Sequence, residues 1–121
     1  MNIKEQVQKM DAIVSQGAIV DDVKDFFAVN ANTSDYDNGK TNGKTNGKAE
    51  MISKMEGFAG AIAKVNGITH HHSIVDGNVS ASEFTFDFDM KDNSKIYWHE
   101  IIRRVWNDCG KVIQEEYFNA Q

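Results

Sequence analysis

The chain has 121 residues, of which 40% are hydrophobic and 26% are charged, proportions typical of one folded domain with a sizeable core. Its formal net charge of −5 argues against nucleic acid as the main partner, because phosphate binding requires a basic surface. No apolar run approaches the length of a membrane span, the first residues lack the apolar core of a secretory signal, and the single cysteine, Cys109, rules out an internal disulfide. We therefore expect one cytoplasmic domain over residues 1–121.

The first half of the chain predicts three helices. Apolar residues recur at helical spacing over about 2–16, 20–27 and 48–65, and this periodicity is typical of amphipathic helices. Gly17 and Gly67 follow the first and third of these segments and are expected to end them.

The segment between the second and third predicted helices is small and polar. It contains Asp35-Tyr36-Asp37 and then a repeat in which a glycine and an asparagine recur every fourth residue over 39–48. The composition of this repeat predicts a flexible loop over 39–48.

The second half of the chain predicts strands. Asp76-Gly77 is a tight hairpin signal after a strand over 68–75, and Phe84, Phe86 and Phe88 then alternate with polar residues, as in a half-buried strand. Helices followed by a strand meander predict an α+β fold, with a curved antiparallel sheet and helices on one face. The later strands are predicted over 79–90, 96–108 and 111–119.

The strand over 96–108 carries apolar and ionisable side chains on both faces. This mixture predicts a wet cavity on one face and a partner surface on the other. The period of two does not say which is which, because a bulge would exchange the faces. The two faces are Trp98, Glu100, Ile102, Arg104 and Trp106 on one side and Tyr97, His99, Ile101, Arg103 and Val105 on the other.

Taken in order, these features resemble the superfamily that includes nuclear transport factor 2, ketosteroid isomerase and the SnoaL-like polyketide cyclases. The resemblance covers nearly the whole chain. It implies a cone-like curved antiparallel β-sheet wrapped over three N-terminal helices (a cystatin-like fold), a pocket at the mouth of the cone, and a convex face that forms a homodimer. The residues that carry it are Phe26-Phe27, Asp35-Tyr36-Asp37, Gly47-Lys48-Ala49-Glu50-Met51-Ile52, Trp106-Asn107-Asp108-Cys109-Gly110-Lys111-Val112 and Tyr117-Phe118-Asn119.

The resemblance implies a catalytic carboxylate in the acidic segment. Asp35 lies eight residues after Phe27, about where isomerase-like members carry a general base, and Asp37 shares its strand parity. The alternative is that both are turn aspartates bonded to their own backbone. The resemblance implies that isomerases bind the oxyanion with a tyrosine on the first helix and an acid on the penultimate strand. Here the first helix has no tyrosine, and Ile102 stands at the position of the acid. A steroid isomerase is therefore not expected.

Counting back from Gly110 assigns the face that contains Glu100 and Arg104 to the pocket. Glu100 is then a third catalytic candidate, while Arg104 would anchor an anionic or carbonyl group of the ligand. A structural ion pair between the two explains them equally well. The predicted substrate-binding residues are Tyr36, His72, Trp98, Ile102, Arg104, Trp106 and Tyr117.

The run His70-His71-His72 raises the question of a metal. On a regular strand His70 and His72 would share a face, with His99 on a nearby strand, but no carboxylate or thiol completes the set by spacing. The sequence therefore predicts neither a metal nor another cofactor.

Two functions remain open. The first is a small-molecule-binding SnoaL-like domain that is a cofactor-free isomerase, lyase or cyclase using general acid/base chemistry. The second is a non-catalytic, dimeric protein-interaction module of the same fold, with its partner on the convex sheet face. The sequence leaves open whether the protein is an enzyme.

Overall fold

The computed structural model describes residues 2–37 and 40–120. In chain order, its elements are α1 (Ile3–Ser15), α2 (Asp21–Phe26), β1 (Phe27–Asp37), β2 (Lys40–Asn46), α3 (Lys48–Ala61), β3 (Ile62–Asp76), β4 (Val79–Met90), β5 (Lys95–Trp106) and β6 (Val112–Ala120). None of these helices is long and apolar enough to cross a membrane.

The six strands form one open sheet in the order β2-β1-β6-β5-β4-β3. All neighbouring strands are antiparallel except β1 and β6, which run parallel. The predicted α+β class is confirmed, but the sheet is mixed, because the chain enters β1 from α2 in the same direction as its last strand. Two strands also precede α3, so the helices are not all N-terminal.

Two predicted boundaries are wrong. The Gly/Asn repeat is not all loop, because Lys40–Asn46 pairs with β1 as β2; Asn38 and Gly39 lie outside the described residues. The third helix ends at Ala61 instead of near residue 65, and Gly67 lies inside β3, where the backbone pairs with β4. In both places, pairing with the adjacent strand of a hairpin overrides the local pattern.

The core lies between the helices and the inner face of the sheet. On β4, Phe84, Phe86 and Phe88 are buried and pack with Val14 of α1 and Ile102 of β5. Removing these side chains from water is the main force that holds the sheet against the helices. A second cluster joins the three helices to the ends of β1, β5 and β6: Val7, Met10, Val23, Phe26, Phe27, Ala31, Met51, Trp106 and Val112.

Strand β5 has the register that the count from Gly110 predicts. Ile102, Arg104 and Trp106 are buried on the inner face, whereas Tyr97 and Ile101 are exposed on the outer face. The inner face of β5 is therefore the one that can line a pocket.

The histidine run does not follow simple strand parity. A register shift lies between His70 and His72, as at a β-bulge. The His70 ring packs on Phe84, on the inner side, whereas His71 lies against His99, on the outer side. His72 is opposite Glu83, which bonds His99 on the outer side. The expectation that His70 and His72 share a face is therefore wrong.

Candidate functional site

An outer cavity of about 390 Å³ opens between α3 and the inner faces of β1, β5 and β6. Phe58 of α3 stacks on Trp98 of β5, with their ring centroids 5.7 Å apart, and these rings form an apolar wall. The structure brings five of the predicted site residues together here: Asp35, Tyr36, Trp98, Glu100 and Tyr117. The other lining residues are Met51, Lys54, Met55, Phe58 and Asn119.

A smaller inner cavity of about 70 Å³ continues towards α1 and α2. It shares part of its wall with the outer cavity, including Glu100 and Tyr117. Its remaining polar residues are Asp22 and Glu115, and Ile102 is part of its apolar lining. The site therefore has a wide outer part and a narrow, acidic end.

Asp35 lies within β1 and forms an ion pair with Lys54 of α3. The Lys54 Nζ donates to Asp35 Oδ2 over 2.7 Å, with both side chains partly exposed at the cavity. Because Asp35 pairs in register with Gly43 and Tyr117, it is a strand residue and not a turn aspartate. Asp37 ends β1, and its side chain lies outside the described residues.

Glu100 faces the site as an uncharged acid at neutral pH. Burial, together with the negative charges of Glu115 and Asp35, raises the pKa of Glu100 to about 8. The Glu100 side chain forms no hydrogen bond within the described residues, so its O–H is available to a bound molecule.

Arg104 is fully buried and does not line either cavity. Its Nη1 donates to Asp11 Oδ1 of α1 over 2.7 Å, and its Nε donates to Glu115 Oε2 of β6 over 2.8 Å. Asp11 also accepts a hydrogen bond from Ser82 of β4. This network corrects the prediction that Arg104 anchors a ligand beside Glu100, because both of its carboxylate partners come from elsewhere.

Two further predicted substrate-binding residues lie away from the cavities. Trp106 is buried, donates its Nε1–H to Ser80 and packs edge-on against Phe26. His72 is exposed on β3, an edge strand of the sheet. Trp106 therefore belongs to the core and His72 to the surface.

Sequence reasoning missed Asp22, Lys54 and Glu115. Asp22 is buried, and its Oδ1 has no hydrogen-bond partner in the part of the chain that the structure describes. Burial and the charge of Glu115 raise the pKa of Asp22 to about 8. The sequence does indicate that Asp22 is buried, because it lies three residues after Ile19 and four before Phe26, on the apolar side of α2.

Tyr117 links the two cavities to the buried ion pairs. Its hydroxyl donates to Glu115, and burial raises the pKa of Tyr117 well above its usual range. The phenol therefore stays protonated and serves as a donor, while Glu115 bonds both Tyr117 and Arg104.

No group of three or more histidine, cysteine or carboxylate side chains is arranged to hold a metal ion within residues 2–37 and 40–120. His99 instead pairs with Glu83 over 2.5 Å on the outer face.

The sequence matches the family model of the SnoaL-like domain over residues 1–119. The chain therefore belongs to the SnoaL-like family, within the nuclear transport factor 2-like superfamily, and the predicted resemblance is confirmed. No curated protein sequence matches the chain.

Several solved structures share the fold. A proposed SnoaL-like polyketide cyclase from Mesorhizobium loti has a TM-score of 0.80 at 19% identity, over 97% of this chain and 98% of that one. A nuclear transport factor 2-like protein of unknown function from Burkholderia pseudomallei has a TM-score of 0.75 at 14% identity, over 97% and 89%. A proposed isomerase from Rhodopseudomonas palustris has a TM-score of 0.72 at 10% identity, over 98% and 90%. At these identities the likeness establishes the fold alone.

Replacing Arg104 by alanine is expected to lower the free energy of unfolding by about 3–5 kcal/mol, because Asp11 and Glu115 would remain buried without their cation. The matched control is Arg103→Ala. Arg103 is partly exposed and pairs with Glu116, so its loss is expected to cost less than about 1 kcal/mol. Urea unfolding measures both values, and equal losses would contradict the assignment of Arg104 to the core network.

The raised pKa of Glu100 predicts a pH-dependent stability. The unfolded chain has the usual pKa of 4.5, against about 8 in the fold. The folded state therefore binds more protons between these values, and the contribution of Glu100 to stability, complete below pH 4.5, is lost as the pH rises towards 8. The slope is at most about 1.4 kcal/mol per pH unit.

Glu100→Gln removes this titration, so the difference in unfolding free energy between wild type and variant is expected to change between pH 5 and 8 and to level off above. Urea unfolding at each pH measures it. Titrating groups far from Glu100 contribute equally to both proteins, so parallel curves would show that Glu100 has an ordinary pKa.

Proposed function

We propose that the outer cavity binds a small carbonyl compound, on which Asp35 and Glu100 act by general acid/base chemistry without a cofactor. One observation carries this proposal: the Asp35 carboxylate, which pairs with Lys54, and the uncharged Glu100 line the same cavity. A proton acceptor and a proton donor in one cavity are what proton transfer beside a carbonyl requires.

In the proposed reaction, the Asp35 carboxylate removes a proton from the carbon next to the carbonyl. The electron pair of the broken C–H bond forms a C=C bond, and the carbonyl π electrons move to the oxygen, which gives an enolate. The Glu100 O–H donates a hydrogen bond to that oxygen as its charge develops. Asp35 then returns the proton to the substrate, at the same or another carbon. An isomerase, a lyase and a cyclase all share this first step.

Glu100 would supply an oxyanion donor in place of the tyrosine and the acid that the isomerases use. Ile102 stands at the position where the isomerases keep an acid, and Glu100 is the preceding residue on the same inner face of β5. The wall formed by Phe58 and Trp98 would hold the apolar body of the substrate, since aromatic rings offer a large area for apolar contact.

The acid/base proposal predicts deuterium exchange beside the carbonyl. A panel of cyclic ketones incubated with the protein in D2O is expected to exchange these protons, as measured by NMR. Asp35→Asn should lower the rate at least about 10²-fold because the base is lost, and Glu100→Leu about 10²-fold because the oxyanion donor is lost.

Two variants serve as controls for this experiment. Glu100→Gln keeps an N–H donor at the same place and should retain more activity than Glu100→Leu. Glu56→Gln changes an exposed carboxylate of α3 and should exchange at the wild-type rate. No exchange above the buffer rate for any ketone would contradict a catalytic role.

A second candidate function is a dimeric interaction module. Tyr97 is 66% exposed, Ile101 38% and Phe118 37%, and Ile101 and Phe118 are register partners on β5 and β6. Adjacent exposed apolar side chains on one sheet face suit contact with a second copy of the chain.

Light scattering tests this second function. The wild type is expected to be a dimer at micromolar concentration, and Ile101→Asp to be a monomer because a charge would be buried at the interface. Asp89→Asn, a change at the partly exposed Asp89 of β4, should leave the dimer intact. A monomeric wild type would contradict the module.

A further inference from the structure

We propose that the inner cavity is a subsite for a positively charged amine head group, which Asp22 binds while the body of the ligand occupies the outer cavity. This inference rests on the proposed role of the outer cavity as a ligand site. It goes further because it names a chemical feature of the ligand and a residue that the acid/base chemistry does not use.

The first observation is an unpaired oxygen at the narrow end of the site. Asp22 is only 6% exposed and lines the inner cavity. Its Oδ1 has no hydrogen-bond partner among residues 2–37 and 40–120. Leaving a buried carboxyl oxygen without a donor is costly, so this oxygen calls for an N–H or O–H group.

The second observation is the balance of charge around this cavity. Asp22, Glu100 and Glu115 are the ionisable acids of its lining apart from the phenol of Tyr117. Arg104 is the only cationic side chain buried in the described part of the chain. It forms ion pairs with Asp11 and Glu115 and also donates to Ser82. Carboxyl groups therefore outnumber cations here, and Asp22 is uncharged only because it keeps its proton. A positive ligand group would favour the ionised form of Asp22.

The third observation is the shape and the rest of the lining. The inner cavity, at about 70 Å³, has room for a head group of a few atoms. It adjoins the outer cavity along a wall that both share, which includes Phe58, Trp98 and Tyr117. Aromatic rings attract a cation through their negatively charged faces. A carboxylate or phosphate would find no cationic side chain among the described residues that line this cavity.

The proton balance gives a direct signature of such binding. Glu115 and Tyr117 of β6 and Glu100 of β5 line the same cavity as Asp22, and the charge of the buried Arg104, which does not line it, also acts on Asp22. Its pKa of about 8 means that it is largely protonated at pH 7. An ammonium group would stabilise its ionised form, so binding is expected to release about one proton at pH 7.

Benzylamine and benzyl alcohol form a matched pair of probes, because they differ mainly in the charged head group. The wild type is expected to bind benzylamine at least about tenfold more tightly than benzyl alcohol, as measured by calorimetry at pH 7. Asp22→Asn should remove this preference. The neighbouring Asp21→Asn, which changes an exposed carboxylate of the same helix, should retain it.

Calorimetry in phosphate and in Tris adds a readout that needs no variant of Asp22. Benzylamine binding to the wild type should release protons, and benzyl alcohol binding should not. If Asp22→Asn does not fold, as judged by circular dichroism, proton release that persists in Glu100→Gln decides the matter, because Glu100 lines the same cavity and is also largely protonated at pH 7. A crystal soaked with benzylamine should place the nitrogen within hydrogen-bond distance of Asp22 Oδ1.

The outcomes separate this inference from the proposed function. Equal affinity for the two probes, unchanged preference in Asp22→Asn, or ordered water alone at Asp22 in the soaked crystal would overturn the amine subsite. Benzyl alcohol bound in the outer cavity would then still support the outer site. Binding of neither probe would count against the outer site and would overturn the subsite with it.

Discussion

The buried guanidinium of Arg104 is the constraint on which the rest of the structure depends. A charge without access to water requires ionic partners, and Arg104 finds them in Asp11 of α1 and Glu115 of β6. This one side chain therefore ties a helix to two strands. It also holds β5 in the register that turns Glu100, four residues earlier, towards the cavity.

The same network sets the chemistry of the site. Glu115 neutralises Arg104, but its charge also acts on the other acids nearby and helps to raise the pKa values of Glu100 and Asp22 to about 8. A structural ion pair and the uncharged acids of the cavities are thus electrostatically linked. Asp35 instead forms an ion pair with Lys54 at the partly exposed edge of the cavity.

Local patterns predicted those elements whose faces differ clearly in polarity. The alternation around Phe84, Phe86 and Phe88 gave the bounds of β4 as 79–90, as found. Asp35 could be selected because the family resemblance marks its position, and Glu100 because the predicted strand turns it to the inner face. The strand β2 could not be predicted, because glycine and asparagine favour turns and only pairing with β1 makes this segment a strand.

The sequence by itself determined the α+β class, the family resemblance and the inward face of β5. The class follows from periodicity, the resemblance from the order of the motifs, and the inward face from the resemblance together with the spacing to Gly110. Only the tertiary structure decided which charges meet. Arg104 and Asp11 are 93 residues apart in the chain, and no local pattern relates them. Whether Arg104 binds a ligand or holds the core, and whether Asp22 is a helix-end acid or a buried one, depends on packing between distant elements.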